Sequence, residues 1–161
     1  MVSLYERKSE SLHIIHKATE HFPPHLHSGM ELVYVTCGTL VLGVGCELYS
    51  MEKGDFAIVF PNLIHHYQVF GEGKNEAFYL APQMSMAGYF MDKLQKYCPK
   101  NPVIKRENVH PDIRQAIMKL YKEKIRNQIL DQAYIQIILA RSIPCLELVL
   151  RETYESDDVI Y

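Results

Sequence analysis

The feature that most constrains the fold is a change of period near residue 83. From residue 11 to 82 the apolar residues fall in short runs rich in Val, Ile, Tyr and Phe, with turn residues between them. The predicted strands are Leu12–Ala18, Glu31–Thr36, Thr39–Val44, Glu47–Met51, Phe56–Phe60, His66–Phe70 and Ala77–Leu80. Gly38, Gly43, Gly45, Gly54, Gly71 and Gly73 punctuate them. No helical stretch intervenes, which argues against a parallel sheet with crossover helices and for a small barrel or jelly roll.

From residue 84 the spacing turns helical. Met86, Phe90, Leu94 and Tyr97 predict a short helix that Pro99 ends, and a loop then runs to His110. Pro111 suits the first turn of a second helix, whose apolar face is Ile113, Ile117, Leu120, Tyr121 and Ile125. A last helix is predicted from about Leu130 to Arg151, kinked or split at Pro144, because proline lacks the donor and clashes with the preceding turn. Two apolar stripes mark that helix: Ile135, Leu139, Leu146 and Leu150, and beside them Tyr134, Ile138, Cys145 and Val149. A helix apolar this far round needs two covering surfaces. One is its own domain; the other is expected to be a second copy of the chain. The expected dimer face is Tyr134, Ile135, Ile138, Leu139, Cys145, Leu146 and Val149.

Composition narrows the function classes. The 161 residues are 48% apolar and 22% charged, an ordinary globular balance. Net charge is -2, and neither half is basic: residues 1–100 hold 8 Lys and Arg against 10 Asp and Glu, residues 101–161 hold 9 and 9. The sequence itself therefore carries no electrostatic footprint for nucleic acid. Cys37, Cys46, Cys98 and Cys145 form no C-x-x-C pair and read as reduced thiols. The start of the chain has no apolar signal core, and no apolar run spans a bilayer. The expectation is a cytoplasmic protein with no membrane partner.

The histidines are lopsided. Seven of the eight lie in the first 66 residues. His25, His27 and Glu31 share parity, so in a continuous extended segment both imidazoles and the carboxylate point one way, with Val33 and Val35. A second segment, Gly54 to His65, is a turn, an apolar strand and a proline-marked loop that ends in histidine. Together His25, His27, Glu31 and His65 make a three-histidine, one-glutamate set suited to Zn, Ni, Mn, Fe or Cu. The alternative is that they hydrogen-bond one another and a small ligand. Tyr67 shares parity with His65 and is expected to line the same pocket, so the pocket set is His25, His27, Glu31, Val33, His65 and Tyr67. His13, His16 and His21 read as ordinary strand and loop residues.

The pattern H-x-H-x-x-x-E-x-x-x-x-x-x-G from His25 to Gly38 resembles the first cupin motif, and Gly54 to His65 resembles the second. All four metal-ligand positions are filled. Thr19, Phe60, Asn62 and Val69 depart from the Gly, Pro, Gly and Asn of the cupin pattern. A narrower resemblance spans about residues 20–155. Phe22-Pro-Pro-His-Leu-His, Glu31-Leu-Val-Tyr-Val, Gly54-Asp-Phe, Pro61-Asn-Leu-Ile-His and Phe78-Tyr-Leu-Ala-Pro, then two long helices, look like the N-terminal sensor domain of AraC-type transcription regulators.

That resemblance implies a mainly β fold with C-terminal helices: a cupin double-stranded β-helix, then a short helix and an antiparallel helix pair. It implies an effector-binding jelly roll over 1–82, a dimerisation region over 83–155, and a linker starting at 156–161 that leads to a helix-turn-helix part outside this sequence. The implied partners are a small-molecule effector, such as a sugar or other small metabolite, a second copy of the chain, and DNA through that further part alone. No catalysis is expected. The rival expectation is a stand-alone metal-dependent cupin enzyme, a dioxygenase or isomerase.

Overall fold

The computed structural model describes residues 4–6 and 11–151. The strands, in chain order, are β1 (Leu4–Glu6), β2 (Leu12–Ala18), β3 (Phe22–His27), β4 (Glu31–Cys37), β5 (Thr39–Val44), β6 (Glu47–Glu52), β7 (Phe56–Val59), β8 (His65–Gln68), β9 (Glu76–Pro82), β10 (Tyr97–Pro99), β11 (Val103–Ile104) and β12 (Leu148–Leu150). The helices are α1 (Met91–Lys96), α2 (Pro111–Lys122) and α3 (Gln128–Ser142). One five-stranded sheet runs β1-β3-β8-β5-β6; the other runs β11-β7-β4-β9-β2. Within them every pairing is antiparallel except β1 with β3. The two sheets face each other as a jelly roll.

Between them lies an apolar interior built from alternate residues: Leu40, Leu42, Met51 and Tyr67 from the first sheet, Val33, Val35, Ala57, Val59 and Ala77 from the second. The second sheet is buried on its other face too. There Leu12, Leu32, Phe56, Ile58, Phe78 and Leu80 meet Ile113, Ile117 and Leu120 of α2 and Ile135, Ile138 and Leu139 of α3 in a single core. Burial on both faces explains why β4 and β7 read as nearly continuous apolar runs. The protein is thus three layers: sheet, sheet, helices.

The helical layer is tied at its ends. The Asp112 backbone N–H donates to His110 Nδ1 at 3.0 Å and caps α2; the Ile129 and Leu130 N–H groups donate to Asn127 Oδ1 at 3.1 Å and cap α3. Arg141 Nε donates to Asp112 Oδ2 at 2.9 Å and joins the end of α3 to the start of α2. No helix among the described residues is long and apolar enough to cross a membrane.

Several expectations need correction. Residues 25–38 are not one extended strand; the chain leaves β3 at His27, turns at residues 28–30 and enters β4 in the opposite sheet. The short helix foreshadowed by Met86 to Tyr97 is two 3-10 turns, Met84–Met86 and Gly88–Phe90, followed by α1, and Tyr97 already belongs to β10. The segment Pro99–His110 holds β11, which pairs with β7. Pro144 splits the last helix: α3 ends at Ser142, a 3-10 turn takes Ile143–Cys145, and β12 pairs with β10.

Part of the expected dimer face is buried within the chain. Ile135, Ile138 and Leu139 are each 0% exposed, because the second sheet and α2 cover them within the chain. Cys145, Leu146 and Val149 lie beyond α3; Val149 pairs with Cys98, and Tyr134 is half-buried. The second covering surface is supplied by the chain itself. Residues 152–161, including the expected linker, lie outside the described residues.

Gly38 sits at φ +69° in the β4–β5 turn, and a Cβ there would meet the Lys74 carbonyl oxygen at 2.6 Å. Gly38→Ala combines left-handed strain with a clash against backbone, so it is expected to cost about 2–4 kcal/mol. A urea midpoint within error of the parent protein would contradict this.

Candidate functional site

Three short strands and one crossing turn assemble the site. His25 and His27 alternate onto the inner face of β3, and His65 and Tyr67 onto the inner face of β8. His25 stands directly opposite His65 in the register of these neighbouring strands. Pro23 and Pro24 remove two donors from β3, and the register shifts between Phe22 and His25. Glu31 opens β4 and reaches across from the facing sheet. Shared parity therefore identifies the right side chains, but the turn at residues 28–30 is what brings Glu31 to the histidines.

All four side chains are buried, and their ligand atoms lie within 4.8 Å of one another. Each imidazole is oriented by its own neighbourhood: His25 Nδ1 donates to the Pro23 carbonyl at 2.9 Å, His27 Nδ1 to Gly29 at 2.8 Å and His65 Nδ1 to Leu63 at 2.9 Å. A carbonyl oxygen can only accept, so the proton sits on Nδ1 in all three rings. In the neutral ring Nε2 then carries a lone pair. His27 Nε2 lies 3.0 Å from Glu31 Oε2, and His65 Nε2 lies 3.6 Å from the same oxygen without a hydrogen-bond partner. Tyr67 Oη donates to Glu31 Oε1.

Acceptors this close repel unless a proton or a metal cation lies among them. Burial alone would raise the Glu31 carboxyl, but when Nε2 carries a proton, hydrogen bonds from His27 and His65 and the charge of His65 join the Tyr67 hydrogen bond, outweigh burial and hold the group well below the usual carboxylate range. The residues fit a divalent transition metal on three counts: nitrogen and oxygen donors, Nδ1 anchors that fix each ring, and a buried, unmatched Nε2.

A cavity of about 180 Å³ opens onto this cluster. His25, Glu31 and Tyr67 form its floor; Phe22, Tyr79, Ile15 and Ala81 form its walls; His13, Lys17 and Glu20 complete the lining. Burial, followed by Glu31 and Glu20, raises the Tyr79 phenol well above its ordinary value, so its hydroxyl stays protonated at neutral pH.

A family model described as the AraC-like ligand binding domain matches residues 8–142. The chain belongs to the AraC-like ligand-binding domain family. No curated protein matches the sequence. Among solved structures, this AraC-like domain is similar, at low identity, to several proteins, two of them described as cupins. Oxalate decarboxylase of Bacillus subtilis is 20% identical over 47% of this chain and 22% of that chain, with a TM-score of 0.40. An RmlC-like cupin of Methanocaldococcus jannaschii is 16% identical over 52% and 73%, with a TM-score of 0.40. A cupin domain of Schizosaccharomyces pombe is 13% identical over 48% and 60%, with a TM-score of 0.42. The AraC-like domain thus spans about a fifth of the decarboxylase's length.

Of the pocket residues expected from sequence, His25, Glu31 and Tyr67 line the cavity of the AraC-like domain, while His27 and His65 are buried in the cluster beside them. Val33 is a correction: it is 0% exposed and belongs to the apolar barrel interior, not to the cavity lining. Sequence reasoning missed the β2 wall. His13, Ile15 and Lys17 alternate toward the cavity, whereas Leu12 and Ile14 pack against the helical layer. The signal was present as the odd-numbered face of Leu12–Ala18, but a strand alone does not show what its polar face looks onto.

Proposed function

We propose that this AraC-like domain senses a small-molecule effector and pairs two copies of a transcription regulator in the cytoplasm, with DNA contacted by a further part of that regulator. The observation that carries the sensing role is the polar-floored cavity inside a domain of a ligand-binding family. Such a cavity joins apolar walls to a few fixed polar groups, which is how small ligands are oriented. His25, His27, Glu31 and His65 would hold a divalent transition metal there. When bound, that ion supplies Lewis acidity and open positions for a ligand donor atom. Regulation requires that the effector bind one arrangement of the pair more tightly than another.

Pairing falls to the outer side of the helical layer. There a groove of about 430 Å³ runs between α2 and α3, lined by Ala116, Tyr134, Ile137 and Ala140 and flanked by the Asp112–Arg141 pair. Ile129 and Ile137 are 82% and 40% exposed on the same helix. Light scattering of the purified chain at micromolar concentration is expected to give twice its own mass. Ile137→Asp is expected to weaken association by about tenfold or more while leaving the circular dichroism unchanged. A single-chain mass for the parent protein would remove the pairing role.

The metal-dependent enzyme reading rests on the same four side chains. His27→Ala separates the two: for a sensor it weakens effector binding and leaves a folded pair, for an enzyme it ends turnover.

A further inference from the structure

We propose that the cavity selects a small organic acid, and that Lys17 is the residue that recognises its carboxylate. The inference rests on the sensing reading above and adds a chemical class to it. Lys17 lies on the cavity face of β2, half-buried, with Nζ 5.3 Å from the centre of the Tyr79 ring. It forms no ion pair with an acid among the described residues, although Glu20 also lines the cavity. Among the described residues that line the cavity, Lys17 is the one lysine or arginine. The ammonium lies over the Tyr79 ring face, which attracts the cation without cancelling its charge.

The floor acts in the same sense once a divalent ion is present. Glu31 contributes one negative charge, and a doubly charged ion among Glu31 and the three Nε2 atoms makes the floor net positive. An acid entering the cavity then finds positive charge at both the floor and the β2 wall. Phe22 and Tyr79 offer apolar faces for the remainder of the molecule, and 180 Å³ limits it to a compact metabolite.

Matched acid and amide pairs test this, because they differ in charge and hardly in shape. The probes are mandelate with mandelamide, lactate with lactamide, and glycerol as a neutral polyol, titrated calorimetrically into the full chain in the presence of Zn2+, which is diamagnetic. Amide chemical shifts of β2 and β8 report occupancy of the cavity. At least one acid is expected to bind about tenfold or more tightly than its amide. Lys17→Gln is expected to lose about ten- to hundredfold in that affinity, and Lys17→Arg to recover most of it. Equal binding of acid and amide, preference for glycerol, or an unchanged affinity in Lys17→Gln overturns the proposal while leaving a cavity that binds neutral molecules. No cavity shifts with any probe overturns the acid proposal. In that case the sensing reading falls separately only if a broader library of neutral and cationic metabolites also leaves β2 and β8 unmoved.

Discussion

Replacing His65 with alanine is expected to end retention of a divalent transition metal. Its Nε2 is a buried lone-pair nitrogen with no hydrogen-bond partner, aimed at the same space as the other three ligand atoms. In the parent protein, excess Mn, Ni or Zn is expected to bind the folded state alone and to stabilise it by mass action. At a hundredfold excess over the dissociation constant this is about 2.7 kcal/mol. For a domain of this size that is a rise of about 5–10 °C in melting temperature. In His65→Ala, and in the parent protein after a chelator, the rise is expected to vanish. His66→Ala is the control: His66 is one residue away on β8 but faces the other side, over Gly43. It is expected to keep the full response. A parent protein that carries no metal after chelator-free purification, and shows no thermal response to any of the three ions, would leave the cluster as a hydrogen-bonded floor only.

The second large effect lies in the turn between α2 and α3. Arg126 Nη2 donates to the carbonyls of Leu120 and Glu123 at 2.7 and 2.8 Å, closing the end of α2. Its Nη1 lies 3.6 Å from Asp131 Oδ1 in the first turn of α3. Asp131 is 0% exposed, and neither carboxylate oxygen has a hydrogen-bond partner. Arg126→Ala removes two carbonyl contacts and strands a buried carboxylate, so it is expected to cost about 2–4 kcal/mol. Asp131→Asn is expected to change stability by less than about 1 kcal/mol at pH 7, and combined with Arg126→Ala to restore part of the loss.

The pH dependence has a definite sign. Burial raises the Asp131 carboxyl above its ordinary value, against the pull of Arg126 and with a smaller push from Glu123. The folded state therefore holds this proton where the unfolded state has released it. Stability from this group is full below the ordinary Asp range and is lost as pH rises through the raised folded value. Urea midpoints between pH 3.5 and 7 should fall more steeply for the parent protein than for Asp131→Asn. Parallel curves would contradict the account.

Period and parity are local properties, and they carried far. The alternating runs from Leu12 to Leu80 specify strands whose two faces must both find partners, and the jelly roll satisfies them. The ligand set was legible because His25 and His27 alternate within one strand, and His65 and Tyr67 within another. What was not legible depends on distant packing. The residues 28–30 turn exchanges one sheet for the other, yet Ser28-Gly-Met30 reads equally well as strand continuation. The broad apolar surface of Ile135, Ile138 and Leu139 states that the helix is covered, and only the fold shows that its own sheet does the covering. Pro144 announced a break, but whether the chain resumes as helix or strand was settled by the β10–β12 pairing.

Among the described residues, strand β2 is the outermost strand of its sheet, hydrogen-bonded to β9 on one side. His13, Ile15 and Lys17 project into the cavity; between them, Ile14 and His16 project the other way, with His16 4.4 Å ring to ring from Phe78 and edge-on to Tyr121. The partition between the binding chamber and the helical layer is here one backbone thick. Lys17 faces the cavity and its neighbour His16 meets Tyr121 of α2, so cavity and helical layer share this one strand as their common wall.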